Sequence, residues 1–102
     1  MTTADRARII EERLRQRLDA EHVEIVDDSA AHAGHLGAQG GGGHFRVLVV
    51  SPRFDGLSKV ATQRLVYEAL GHMMTTEIHA LQMQTLTPNA WRQLTDAAGD
   101  SK

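Results

Sequence analysis

The run Phe45-Arg46-Val47-Leu48-Val49-Val50, closed by Ser51-Pro52, constrains the fold more than any other stretch of the chain. Five of its six residues are apolar, and three of those are valine. A short apolar run rich in β-branched residues, with glycines before it and proline after it, reads as a strand. Near-continuous apolarity, in place of strict alternation, predicts a central strand covered on both faces. The rest of a 102-residue chain has to supply that cover, and a chain of this length suits a single domain.

The flanking patterns supply it. Ala7, Ile10, Leu14 and Leu18 recur at helical spacing with Arg and Glu between them, which predicts a one-sided helix lying on a sheet. Thr2 and Asp5 stand at capping-box spacing before it. Val23 to Asp27 reads as a strand, with Val23 and Ile25 on one face and Glu24 on the other. Pro52 and Gly56 mark a connector, and Phe54 is expected to tuck into the edge of the core. A second helix is expected from near Ser58, with an apolar stripe of Ala61, Leu65, Val66, Ala69, Leu70 and Met73. Gly71 weakens its last turns without being expected to end it. From Ile78 to about Leu86 a third strand sets His79, Leu81 and Met83 on one face and Gln82 and Gln84 on the other. Thr87 caps a last helix whose first position is Pro88, and Trp91 and Leu94 pack back.

The predicted order is α-β-β-α-β-α. The first two strands pair antiparallel. The second strand, the second helix and the third strand form a right-handed crossover, so the third strand runs parallel to the second. The expected fold is therefore a two-layer α+β domain with a three-stranded mixed sheet packed against helices. A single domain spans 1–102, its core lying at about 4–95 and a frayed tail at 96–102.

Between the first two strands lies DDSAAHAGHLGAQGGGGHF, with three histidines and six glycines. A loop this long is functional or disordered more often than it is a plain hairpin. The chain has no cysteine, which excludes disulfides, thiolate-only metal sites and a cysteine nucleophile. Its net charge of -2 gives no basic field for nucleic acid or anionic lipid. No apolar run approaches the ~20 residues that span a bilayer, and nothing in the N-terminal stretch reads as a secretory signal.

Several motifs fail on context. His32-Ala33-Gly34-His35 lacks further ligands at finger spacing, which argues against a zinc site within this chain. Gly37-Ala38-Gln39-Gly40 spells a GxxG but lies between strands, whereas the RNA-binding form lies between helices. The glycine run precedes His44 and a strand, so it is not a phosphate loop. No nucleophile elbow or converging carboxylate pair is present, and an enzyme is not expected.

HAGH, GGHFRVLVVSPRFDGLS, RLVYEAL, IHAL and TPNAW occur in the order and at the spacing of the BolA-like family, which the chain resembles from about Ile9 to Trp91. The resemblance implies a class II KH-like domain, in agreement with the order above. It implies an adaptor that binds a monothiol glutaredoxin and shares a [2Fe–2S] cluster with it, in iron–sulfur trafficking, iron homeostasis or stress response. By this resemblance His79 is one ligand. A loop histidine is the other, His32 first and His35 as the alternative. The family often carries an Arg-His pair early in the second helix, and here those positions read Thr62-Gln63, followed by Arg64. A role for that histidine therefore does not carry over.

The residues are compatible with such sharing. A [2Fe–2S] cluster commonly takes four cysteines, and two histidines can replace two of them on one iron. A chain without cysteine can offer two imidazoles to one iron while a partner's thiolates hold the other, so no cluster is expected in the isolated protein. Neutral imidazole is the ligating form, and binding should weaken on acidification. A glycine-rich loop imposes few backbone limits on bringing its histidine to the start of the third strand. His44 is expected to make a strand-end polar contact, and His22 and His72 to face solvent. The expected partner surface includes Arg64, Lys59 and Arg46. The alternative is a KH-like, nucleic-acid-binding transcriptional regulator. The expected setting is cytoplasmic and the free chain a monomer.

Overall fold

The computed structural model describes the backbone at residues 3–28, 43–76 and 78–100, with side chains at all of these except 3, 4, 76, 79 and 97–100. Helix α1 spans Thr3–Leu18, β1 His22–Asp27 and β2 Gly43–Val50. A 3₁₀ turn at Pro52–Phe54 leads to α2, Lys59–Leu70, and a short α3, Met73–Thr76. Strand β3, Ile78–Leu86, and α4, Pro88–Asp100, complete the chain. The sheet order is β1-β2-β3. β1 is antiparallel to β2 and β3 is parallel to it. The α+β architecture with a three-stranded mixed sheet is thus the one that the hydrophobic periodicities imply.

The core forms where the predicted stripes meet. Ile10, Leu14 and Leu18 of α1 are buried, as are Val66, Ala69 and Leu70 of α2. They pack on the sheet face made by Val23, Phe45, Val47 and Val49, with Leu81 and Met83 partly buried against it. Phe54 is 2% exposed, so the connector does tuck its ring inward. Gln82 and Gln84 face solvent, as strand parity requires.

Among the described residues, cover on the second face of the sheet extends over only half its length, not throughout as the apolarity of β2 suggests. Val50 is buried and Leu48 half-buried, yet Arg46 is exposed. Cover comes at one end from α4, whose Trp91 ring stacks on His22 with centroids 4.6 Å apart and planes 20° off parallel. His22 Nε2 also lies 2.7 Å from Glu24 Oε2. His22 is therefore half-buried between an indole and a carboxylate, and not a plain solvent residue. The helix itself starts as expected, with Thr87 Oγ1 accepting from Ala90 N at 3.1 Å. It then runs on to Asp100, through residues whose small, polar sequence suggests fraying.

Two chain ends are locked by polar groups. Ser58 Oγ accepts from Ala61 N at 3.1 Å and caps α2. Arg13 and Arg17, one turn apart on α1, donate from Nη1 to the carbonyls of Leu70 and Ala69, each at 3.0 Å. Those are orphan acceptors at the negative end of α2, so each guanidinium satisfies a carbonyl and opposes the helix dipole. The side chain of Ser51 is fully buried. Its hydroxyl donates to the carbonyl of Leu18 and its N–H donates to Leu86 O, tying the end of α1 to the end of β3.

Gly71 ends α2, where the apolar stripe continuing to Met73 suggests an unbroken helix. Its φ is 53° and ψ -124°, and its N–H bonds Tyr67 O. An L side chain rarely adopts that conformation, so the residue turns the chain because it has no Cβ. Met73 still reaches the core, but from α3. An added Cβ would meet nothing nearer than 3.8 Å, so the cost of Gly71→Ala is backbone strain alone. It should lower the unfolding free energy by about 1–3 kcal/mol, read as a reduced urea midpoint with an unchanged slope.

Candidate functional site

The site is organised by one end of the sheet. β1 runs toward it and finishes with Asp27 opposite Phe45. Asp28 N then donates to His44 O at 2.7 Å, so the chain leaves β1 still hydrogen-bonded to β2. It returns at Gly43, which pairs with Ile78 of β3. Both ends of the glycine- and histidine-rich segment are therefore fastened to β2 at the end of the sheet where β3 begins, the Gly43 end directly beside β3. His32 and His35 belong to that segment and lie outside the described residues.

His79 is the second residue of β3. The register passes from Gly43↔Ile78 to His44↔Ala80, so His79 is the extra residue of an irregularity between two paired positions. Bulges of this kind re-aim a side chain and interrupt pairing, and they favour functional sites. The topology thus brings the backbone of His79 to the same sheet end as the two anchors of the loop. His44, half-buried at that end, is already engaged within the fold, in keeping with the expected strand-end contact. His72 is exposed in the turn after α2.

The expected contact residues are spread over the molecule. Arg46 lies on the open sheet face two positions beyond His44, and its Nε sits 2.7 Å from Asp28 Oδ2. That pair straps the last residue before the loop to β2. Arg64 stands exposed in the middle of α2 and Lys59 in its first turn. α2 begins where β2 ends and runs back, so Lys59 belongs to the end of the sheet remote from His79. The six residue steps from Ala80 to Leu86 put roughly 20 Å between these ends. One small partner bound at His79 reaches Arg46 more readily than Lys59.

Thr62, in the place of the arginine in the family's Arg-His pair, faces inward and is 5% exposed. Its Oγ1 donates to Lys59 O at 2.7 Å and lies 2.6 Å from Thr85 Oγ1, which must then be the donor of that second bond. The position joins α2 to β3 and offers no imidazole. Gln63 beside it is half-buried.

Among the described residues no group of three or more His, Asp or Glu side chains could hold a metal ion. The His22–Glu24–Trp91 arrangement is the feature that sequence reading passes over, because its partners are joined across two elements and no spacing along the chain announces it.

The protein-family model for BolA-like protein matches residues 14–90. This chain belongs to the BolA-like family. It is 42% identical over 84 residues to mouse BolA-like protein 1, covering 82% of this chain and 59% of the mouse protein. The chain thus spans less than two thirds of that relative. It is 34% identical over 93 residues to the DNA-binding transcriptional regulator BolA of Vibrio cholerae, covering 91% of this chain and 85% of that one. The BolA domain of SufE1 from Arabidopsis thaliana superposes with a TM-score of 0.72 at 34% identity, over 87% of this chain and 96% of that domain. No described helix of this BolA-like chain is long and apolar enough to cross a membrane.

Proposed function

We infer that this BolA-like protein is an adaptor that binds a monothiol glutaredoxin and co-ligates a [2Fe–2S] cluster through His79 and a loop histidine. The observation that supports the reading is the convergence at one sheet end of the His79 backbone and both anchors of the loop bearing His32 and His35. Two nitrogens from this chain complete one iron, and the partner's sulfur donors hold the other. His32 is the first candidate in the loop and His35 the second. The job is binding and not catalysis, in a cytoplasmic setting concerned with iron–sulfur supply or iron homeostasis, and the free chain is a monomer.

The loop assignment is tested by titrating cluster-loaded monothiol glutaredoxin with His32→Ala and His35→Ala, followed by visible circular dichroism. The ligand's variant should lose the spectral change given by the unsubstituted chain, while the other keeps it. If both variants behave as the parent does, neither histidine is the loop ligand. The second reading, a DNA-binding regulator, is favoured by the name of the Vibrio cholerae relative, a DNA-binding transcriptional regulator. Exposed Arg64 and Lys59 on α2 would then meet phosphates. In that case affinity for duplex DNA should fall steeply with salt and be indifferent to His79→Ala.

A further inference from the structure

β3 is an edge strand, for among the described residues it has β2 on one side and no strand on the other. Edge strands expose backbone N–H and C=O groups that pair readily with another extended chain. Proteins guard them with charge, proline or short length. The opposite edge follows this rule: β1 spans six residues and carries Glu24 and Asp27. β3 does not follow it. Its nine residues, Ile78–Leu86, include no Asp, Glu, Lys, Arg or Pro.

Beside the far half of that edge lies a groove of about 420 Å³ walled by Phe54, Leu57, Lys59, Thr62, Met83 and Leu86, among others. Among the described residues of the wall Lys59 is the one ionisable group, and it makes no ion pair with a described residue. Leu57 in its wall is 42% exposed, and Val60, which follows Lys59 on α2, is 63% exposed. An unpaired neutral strand edge therefore borders a partly apolar cleft with a single cation.

We propose that this groove and the β3 edge dock an extended peptide of a partner protein. The peptide adds a strand to β3, sets alternate apolar side chains into the groove and brings a carboxylate to Lys59. Backbone pairing supplies affinity in such strand addition, and the pockets for alternate side chains supply selectivity. Single-stranded nucleic acid also carries negative charge along an extended backbone, but it needs rings for its bases to stack on. The one aromatic side chain of this wall, Phe54, is 2% exposed, so it offers no stacking platform. The groove is lined by Met83–Leu86 at the opposite end of β3 from His79, so the peptide pairs with that half of the strand and leaves His79 free.

The test is amide chemical-shift mapping on the full chain. The probes are synthetic octapeptides with amidated C-termini and valine at alternate positions, ending in glutamate or in lysine, and an octathymidylate. Glutamate-ended peptides should move the amides of Leu57 to Thr62 and Met83 to Leu86. Affinity should fall about tenfold for lysine-ended peptides and for Lys59→Glu. Lys59→Glu keeps an exposed residue type welcome in a first helical turn, so folding is preserved. His79→Ala should bind the peptides as the parent does. Absence of binding by every peptide overturns the proposal, as do shifts confined to other residues. Movement of the same amides by octathymidylate alone would give the groove to nucleic acid instead.

Discussion

Replacing His79 by alanine is expected to abolish the visible circular dichroism change that accompanies mixing with a cluster-loaded monothiol glutaredoxin. The proposed cluster takes two imidazoles from this chain, and His79 is the one held by regular secondary structure. Its backbone sits at a register irregularity between Gly43↔Ile78 and His44↔Ala80. Loss of an outer-shell partner already costs about 10–100-fold in metal affinity, so loss of a direct ligand should exceed that. Contacts made by the two proteins without cluster should survive, because removal of one imidazole leaves the rest of the surface in place. The measurement is therefore a pair of titrations, with and without cluster, on the same variant. An unaltered spectral change with His79→Ala would end the shared-ligation reading. A loss of binding in both titrations would assign His79 to docking instead.

Phe45→Ala should produce the largest loss of stability of any single change considered. Phe45 is 2% exposed and begins the core face of the central strand, opposite Asp27 on β1 and Leu81 on β3. It belongs to the same buried cluster as Ile10, Leu14 and Leu70, so both helices of the covering layer feel its removal. Truncating a buried phenylalanine costs about 3–5 kcal/mol through lost transfer energy and the cavity left behind. A small domain has about 5–15 kcal/mol in total, so the variant should unfold at much lower urea. It should also loosen the sheet end that carries His79. A shift worth less than about 1 kcal/mol, the scale of an ordinary surface change, would show that the ring is not packed as described.

The contrast between α2 and β3 shows how far local pattern reaches. Strand parity in Leu81, Gln82, Met83 and Gln84 translates directly into burial, because alternation is a property of the extended backbone itself. The apolar stripe of α2 likewise marks the buried side correctly. Its end was not legible, since Ala69, Leu70 and Met73 continue the stripe across Gly71 while the backbone has already turned at φ 53°. Apolarity reports what is buried, and Met73 is buried from a different helix. The continuous apolarity of β2 misled in a similar way. It implied two full covers, but Trp91 reaches only the end of the second face that carries His22.

The residues proposed for the cluster divide along the same line. Five short motifs in order identified the family from sequence, and with it His79 and the loop histidines, but motifs carry no distances. That the loop is fastened at both ends to the sheet end where β3 begins follows from the pairing of Asp28 with His44 and of Gly43 with Ile78. Those pairs join residues far apart in the chain.

The order of the strands and the three longer helices, the identity of the central strand and the lack of any thiolate ligand in this chain were determined by the sequence alone. Each follows from periodicity or from residue chemistry, which act within a few neighbours. Strand register, the stop at Gly71, the His22–Trp91 stack and the groove beside β3 were decided only by the tertiary structure. They arise from which distant side chains exclude water together, and no local pattern encodes that choice.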